Sequence, residues 1–254
     1  MLVEIKKLLY VTHRKAPTYD LLEGLLEIKK IGLKEIIIMS EGLSQELKDR
    51  LSGHGIDLKE VEGSGPLIPR ICDVANKEHA SLIVAHLSGE RGLFSRRSAA
   101  RRLIKNISLP LLFFPENNTE ATPSTKGLFD SVILATDWSD AARRAWLYII
   151  GLKEIVGVVD IVYVLNVKPT VREIRQLRDR VEEIRKICLE EKMDTESHIY
   201  AGKTPEEIIL ASKEYNATLI AMGYKSKGTF KEILSGSSCY QVAEKSPVPV
   251  LIIP

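Results

Sequence analysis

Along the second half of the chain, short apolar runs alternate with longer stretches whose apolar residues recur every three or four positions. The runs fall at 131–136, 158–166, 196–200, 218–223 and 248–253; the stretches fall at 139–152, 170–192, 205–215 and 236–245. Strands buried on both faces read as nearly continuous apolar runs, and their alternation with amphipathic helices predicts a parallel sheet covered on both sides. In 170–192, residues Val171, Ile174, Leu177, Val181, Ile184 and Cys188 form one stripe. That stripe predicts a helix packed on its own sheet, with a partner-binding coiled coil as the alternative.

The same pattern occurs earlier. IKKLLYVTH (5–13) parallels FDSVILATD (129–137), SLIVAH (81–86) parallels TLIAMG (218–223), and ISLPLLFFP (107–115) parallels SPVPVLIIP (246–254). Anchors repeated in the same order mark an internal duplication. Between the copies, PENNTEATPSTKG (115–127) is poor in large apolar residues and reads as a linker. The expected domains are therefore 1–115 and 128–254, joined by 116–127.

Composition adds bounds. Over 254 residues the formal net charge is +2, too small to point to nucleic acid or a membrane surface. Cys72, Cys188 and Cys239 are scattered, without a CxxC pair, which suits a reducing cytoplasm. The most apolar stretch, 147–167, is interrupted by Lys153, Glu154 and Asp160, so no membrane insertion is expected.

Candidate chemistry is concentrated in MGYKSKGTFKEILSGSSCYQVAEK (222–245). A strand ends at Gly223, a loop follows, and Gly236-Ser237-Ser238 opens a helix. A helix start offers unpaired N–H groups and the positive end of the dipole, which suit a phosphate. Glycine allows close backbone approach, and the serine hydroxyls either donate to an anion or cap the helix. Gly202-Lys203-Thr204 looks like the end of a phosphate loop, but position 197 is Ser. Thr204 and Glu207 instead suggest a capping box with Pro205 in the first helical position.

This segment resembles the universal stress protein family, whose nucleotide-binding members carry Gly-x2-Gly-x9-Gly-Ser/Thr. Here the pattern runs Gly223, Ser226, Gly236-Ser237, with Ser in place of the second Gly. The resemblance implies an α/β fold: two tandem doubly wound domains, each a five-stranded parallel sheet of order 3-2-1-4-5 with helices on both faces. It assigns Asp137 and Val164 to the nucleotide, with Gly223, Ser226, Gly236, Ser237 and Ser238 around the phosphates. The implied ligand is ATP, ADP or AMP, with Mg²⁺ as an accompanying cation. The ligands of such sheets bind beyond the strand ends where strand order reverses.

The first copy has His13, His86 and Arg97 where the second has Asp137, Gly223 and Gly236. Large side chains at the glycine positions are expected to close its cradle. The two histidines lack a third metal ligand, and Arg91, Arg96, Arg97, Arg101 and Arg102 read as a solvated face or a docking patch. The expected function is a cytoplasmic nucleotide-binding regulator with an unidentified protein partner. The alternative is a scaffold that binds no nucleotide. No HExxH or GxSxG motif points to an enzyme. Family dimers pair their fifth strands, so LPLLFF (109–114) and VPVLII (248–253) are expected to form a pseudo-dimer within the chain. Further association into a homodimer is left open.

Overall fold

The structure is a computed structural model that describes residues 2–12, 22–39, 43–61, 65–86, 96–115, 126–167, 169–224 and 233–254. The first half supplies β1 (Lys7–Thr12), β2 (Glu35–Met39), β3 (Asp57–Glu60), β4 (Leu82–His86) and β5 (Leu111–Phe113). Between them lie a 3₁₀ helix (Leu26–Ile31) and helices α1 (Gln45–Gly53), α2 (Leu67–Lys77) and α3 (Arg96–Asn106). The second half supplies β6 (Ser131–Thr136), β7 (Val158–Leu165), β8 (Asp194–Ala201), β9 (Leu219–Gly223) and β10 (Val250–Ile253). Its helices are α4 (Asp140–Gly151), α5 (Val171–Glu190), α6 (Thr204–Glu214) and α7 (Ile233–Lys245).

Each half has the 3-2-1-4-5 order, and the two join into one ten-stranded sheet, β3-β2-β1-β4-β5-β10-β9-β6-β7-β8. All pairings are parallel except the central one, where β5 and β10 run antiparallel with Leu251 opposite Leu112. The pseudo-dimer expected from the duplicated fifth strands is thus present, and it covers two apolar edges that would otherwise be open to pairing.

The sheet's alternation sorts the core into two layers. One contains Leu25 and Ile28, Leu47 and Leu51 of α1, Ala145 and Ile149 of α4, and Ile184 and Cys188 of α5. The other contains Ile71 of α2, Leu103 of α3, Ile208 of α6 and Val242 of α7. Both layers run across the junction between the halves. Polar contacts add to it: Val3 N–H donates to the Gly151 carbonyl at 3.0 Å, and Phe129 N–H donates to the Glu27 carboxylate at 3.2 Å.

Two local expectations change. On α5, Leu177, Val181, Ile184 and Cys188 are buried but Val171 and Ile174 are exposed. The helix starts past the carboxyl end of β7, so its first turn has no sheet beneath it. Lys203, not Thr204, is the N-cap of α6, and it makes no side-chain cap bond. The Thr204 hydroxyl instead donates to Asn166 Oδ1 at 2.7 Å, which draws it away from the capping position.

Candidate functional site

β6 is flanked by β7 and β9, so the strand order of the second half reverses beside it. Three adjacent strands therefore deliver Thr136-Asp137, Val164 and Gly223 to one end of the sheet. Asp137 is the first residue past β6 and is exposed. One of its carboxylate oxygens accepts from Ser139 N–H at 3.0 Å. Ser139 in turn caps α4 by accepting from Ala142 N–H at 3.1 Å. This end of α4 is thus satisfied internally, and the carboxylate of Asp137 is fixed by the turn that leads into it.

Gly223 ends β9 against that same turn. A Cβ at Gly223 would lie 2.1 Å from the Ala141 carbonyl oxygen and 2.6 Å from the Ala142 nitrogen. Backbone cannot yield as a flexible side-chain tip can, so a side chain here would push α4 off the sheet. The sequence suggested glycine for access by an anion; packing of α4 on β9 already requires it.

The third wall is α7. Its described span is Ile233–Lys245, so Gly236-Ser237-Ser238 lie within the helix rather than opening it; residues 225–232 and the Ser237 side chain lie outside what the structure describes. The Cys239 thiol donates to the Gly223 carbonyl at 3.3 Å, which ties α7 to the end of β9. Burial, and secondarily the nearby Asp137 charge, push the Cys239 pKa up to about 12. That thiol is therefore protonated at neutral pH and serves as a packing and hydrogen-bonding group, not a nucleophile. Val164 is buried in the apolar layer that contains Met222, Tyr224 and Cys239. Ser238 is half-buried in α7. Ser226 lies outside the described residues.

The crevice is braced by residues the sequence did not single out. Tyr224 donates its N–H to the Ile253 carbonyl at 2.7 Å, and its hydroxyl lies 2.8 Å from that of Tyr240 on α7. The strand end and the helix after the loop are thus tied directly together. Arg144 of α4 donates to the carbonyls of Pro254, at 2.7 Å, and Tyr224, at 3.4 Å. Trp138, between Asp137 and Ser139, has φ of +64°, a left-handed conformation that is rare for a bulky side chain. Its ring stacks on Tyr163 with centroids 5.5 Å apart, which helps to hold the strained turn. A short polar turn after β6 was visible in the sequence, but nothing in it signalled a left-handed Trp.

The first half differs at the matching strand end. His86 is buried at the end of β4, with Nδ1 3.5 Å from the Tyr10 hydroxyl. An imidazole therefore sits where β9 carries no side chain. His13 lies outside the described residues. Arg97 falls in the first turn of α3, and Arg101 lies over the Tyr240 ring at 5.6 Å, across the junction of the halves. Arg101 is nevertheless exposed to solvent.

These features define a class: a doubly wound α/β protein, duplicated in one chain, with Asp137 and Gly223 at the strand-order reversal of its second half. Residues 129–254 match the model of the Universal stress protein family, and through them the chain belongs to that family. A universal stress protein from Archaeoglobus fulgidus DSM 4304 is similar along nearly the whole length. The two share 22% identity over 98% of this chain and 96% of that one, with a TM-score of 0.70. A functionally unknown protein from Pseudomonas aeruginosa PAO1 is 15% identical over 98% of this chain and 92% of that one, with a TM-score of 0.71. At these identities the likeness establishes the two-domain fold. Comparison with curated proteins gives no match. Among the described residues, no helix is long and apolar enough to cross a membrane.

Proposed function

We propose that the second crevice binds one adenine nucleotide per chain, ATP, ADP or AMP, and that occupancy tunes affinity for a partner protein in a stress response. The observation that supports this reading is that Asp137 and Gly223 end neighbouring strands at the strand-order reversal, with α7 tied to the end of β9 through Cys239 and Tyr240. The groups suit the ligand. A carboxylate accepts hydrogen bonds and repels phosphate, so Asp137 fits the sugar hydroxyls. The loop that leads into α7, with Gly236, Ser237 and Ser238 in the helix itself, is the proposed place of the phosphates and an accompanying Mg²⁺. Ser226 belongs to the same loop, and Val164 offers an apolar strand end to the base. The proposed role is binding rather than turnover. Native mass spectrometry of protein purified without denaturation tests the reading. An adenine nucleotide bound one per chain is expected; a chain that carries none and takes up none of ATP, ADP or AMP overturns it.

A second reading, a scaffold without nucleotide, is favoured by one observation. Val167, Val171 and Ile174 are each exposed, just after β7 and in the first turn of α5, as suits protein contact. If this reading holds, the partner binds equally well with and without nucleotide.

A further inference from the structure

Asp160 interrupts the apolar run of β7 and is buried, 4% exposed. A buried carboxylate requires a compensating partner. Across the parallel pairing Asp160 stands opposite Glu196 of β8, and His198 lies two residues further along the same face. His198 Nε2 is 2.9 Å from Asp160 Oδ1 and 4.0 Å from Glu196 Oε2. The other ring nitrogen, Nδ1, is 3.0 Å from the Tyr215 hydroxyl of α6. The Tyr215 ring stacks on the imidazole with centroids 4.1 Å apart.

We propose that Asp160, Glu196 and His198 form a zinc site, separate from the crevice, with water as the fourth ligand. Two carboxylates beside one imidazole leave a net negative charge, and Asp160 forms no ion pair with Lys or Arg among the described residues. One imidazole with two carboxylates is a donor set that zinc accepts. Ligand atoms of a tetrahedral zinc lie about 3.4 Å apart, given bond lengths of about 2.0–2.2 Å. The three donor atoms here lie within 4.8 Å of one another. Small side-chain rotations, chiefly of Glu196, would bring them to that spacing. At 2.9 Å Nε2–H donates to Asp160; zinc would displace that proton, and the Tyr215 hydroxyl could then accept from Nδ1–H. Orientation of a ligating histidine through its second nitrogen is the usual support of such sites. β8 is the end strand of the sheet and the Glu196 side chain is 71% exposed, so an ion can enter from solvent. Bound zinc would clamp the edge strand to β7.

The test is titration of chelator-stripped full-length protein with Zn²⁺ against a chromogenic chelator, with Mg²⁺ and Ca²⁺ as parallel arms. One equivalent of zinc is expected, with Mg²⁺ and Ca²⁺ at least about 100-fold weaker. Glu196→Gln, at an exposed position that leaves folding intact, is expected to weaken zinc at least about 10-fold, and His198→Gln to abolish it. Co²⁺ at the site should give the visible absorption of a tetrahedral nitrogen and oxygen centre. The proposal is overturned if the parent takes up no zinc, if Glu196→Gln binds it as tightly as the parent, or if Mg²⁺ or Ca²⁺ competes equally.

Discussion

At Gly223 an added methyl group would meet the Ala141 carbonyl oxygen at 2.1 Å. Gly223→Ala is therefore expected to lower stability by about 1–3 kcal/mol, the usual cost of overpacking, as read by chemical denaturation. It should also weaken nucleotide binding, because α4 carries the turn that fixes Asp137. Asp137→Ala separates the two effects. Asp137 is exposed and its described bond is to the Ser139 N–H, so the variant should stay close to parental stability while losing affinity. Sequence spacing singled out Gly223 for close approach by an anion; the fold adds a second reason for glycine there. The close partner is the Ala141–Ala142 backbone, which only the packed fold brings there. Asp160 and His198 were illegible for a related reason: they lie far apart in the chain, and their meeting depends on strand register.

Helix starts depend on a few side-chain bonds, and one of them is simple to remove. Thr170 caps α5 in a reciprocal box: its hydroxyl accepts from Glu173 N–H at 3.3 Å, and the Glu173 carboxylate accepts from Thr170 N–H at 2.7 Å. Thr170→Ala should cost about 1 kcal/mol of stability in denaturant melts and leave nucleotide affinity unchanged. The box is written in the sequence as Thr-Val-Arg-Glu. The similar-looking Thr204 and Glu207 do not form one, because the Thr204 hydroxyl bonds Asn166 across the loop. Every strand and helix anticipated in the second half is present, since buried apolar runs and helical stripes are local signals. Strand boundaries moved by a residue or two, as with β8 starting at Asp194 and β10 at Val250, because element ends depend on pairing and caps more than on the apolar pattern.

Across the whole molecule, the duplicated fifth strands make two domains one sheet. A fragment spanning 126–254 would expose the Val250–Ile253 edge, and sedimentation should show it dimerising; a stable monomer would contradict the view that this edge needs cover. Glu27 provides a second test of the junction. Burial, more than the Asp130 charge, raises its pKa above the ordinary 4.5, against the lowering effect of the backbone N–H bonds from Leu128 and Phe129. The native state thus holds a proton that the unfolded chain releases, so this group's contribution to stability falls as pH rises from 4.5 through the raised value. Glu27→Gln should therefore melt higher than the parent at neutral pH, with the difference vanishing by about pH 4.

The asymmetry between the halves, a glycine at the end of β9 and a buried imidazole at the end of β4, leads to the proposed single site, which is tested most directly by calorimetric titration of the intact chain with ATP. Gly236→Ala is the companion variant, since alanine favours a helix by about 1 kcal/mol over glycine and should not unfold α7. The expected result is one ATP per chain in the parent, with affinity reduced at least about 10-fold (about 1.4 kcal/mol) in Gly236→Ala and no loss of thermal stability. Absence of binding to the parent, two ATP per chain, or undiminished binding to the variant would contradict a single nucleotide site in the second half.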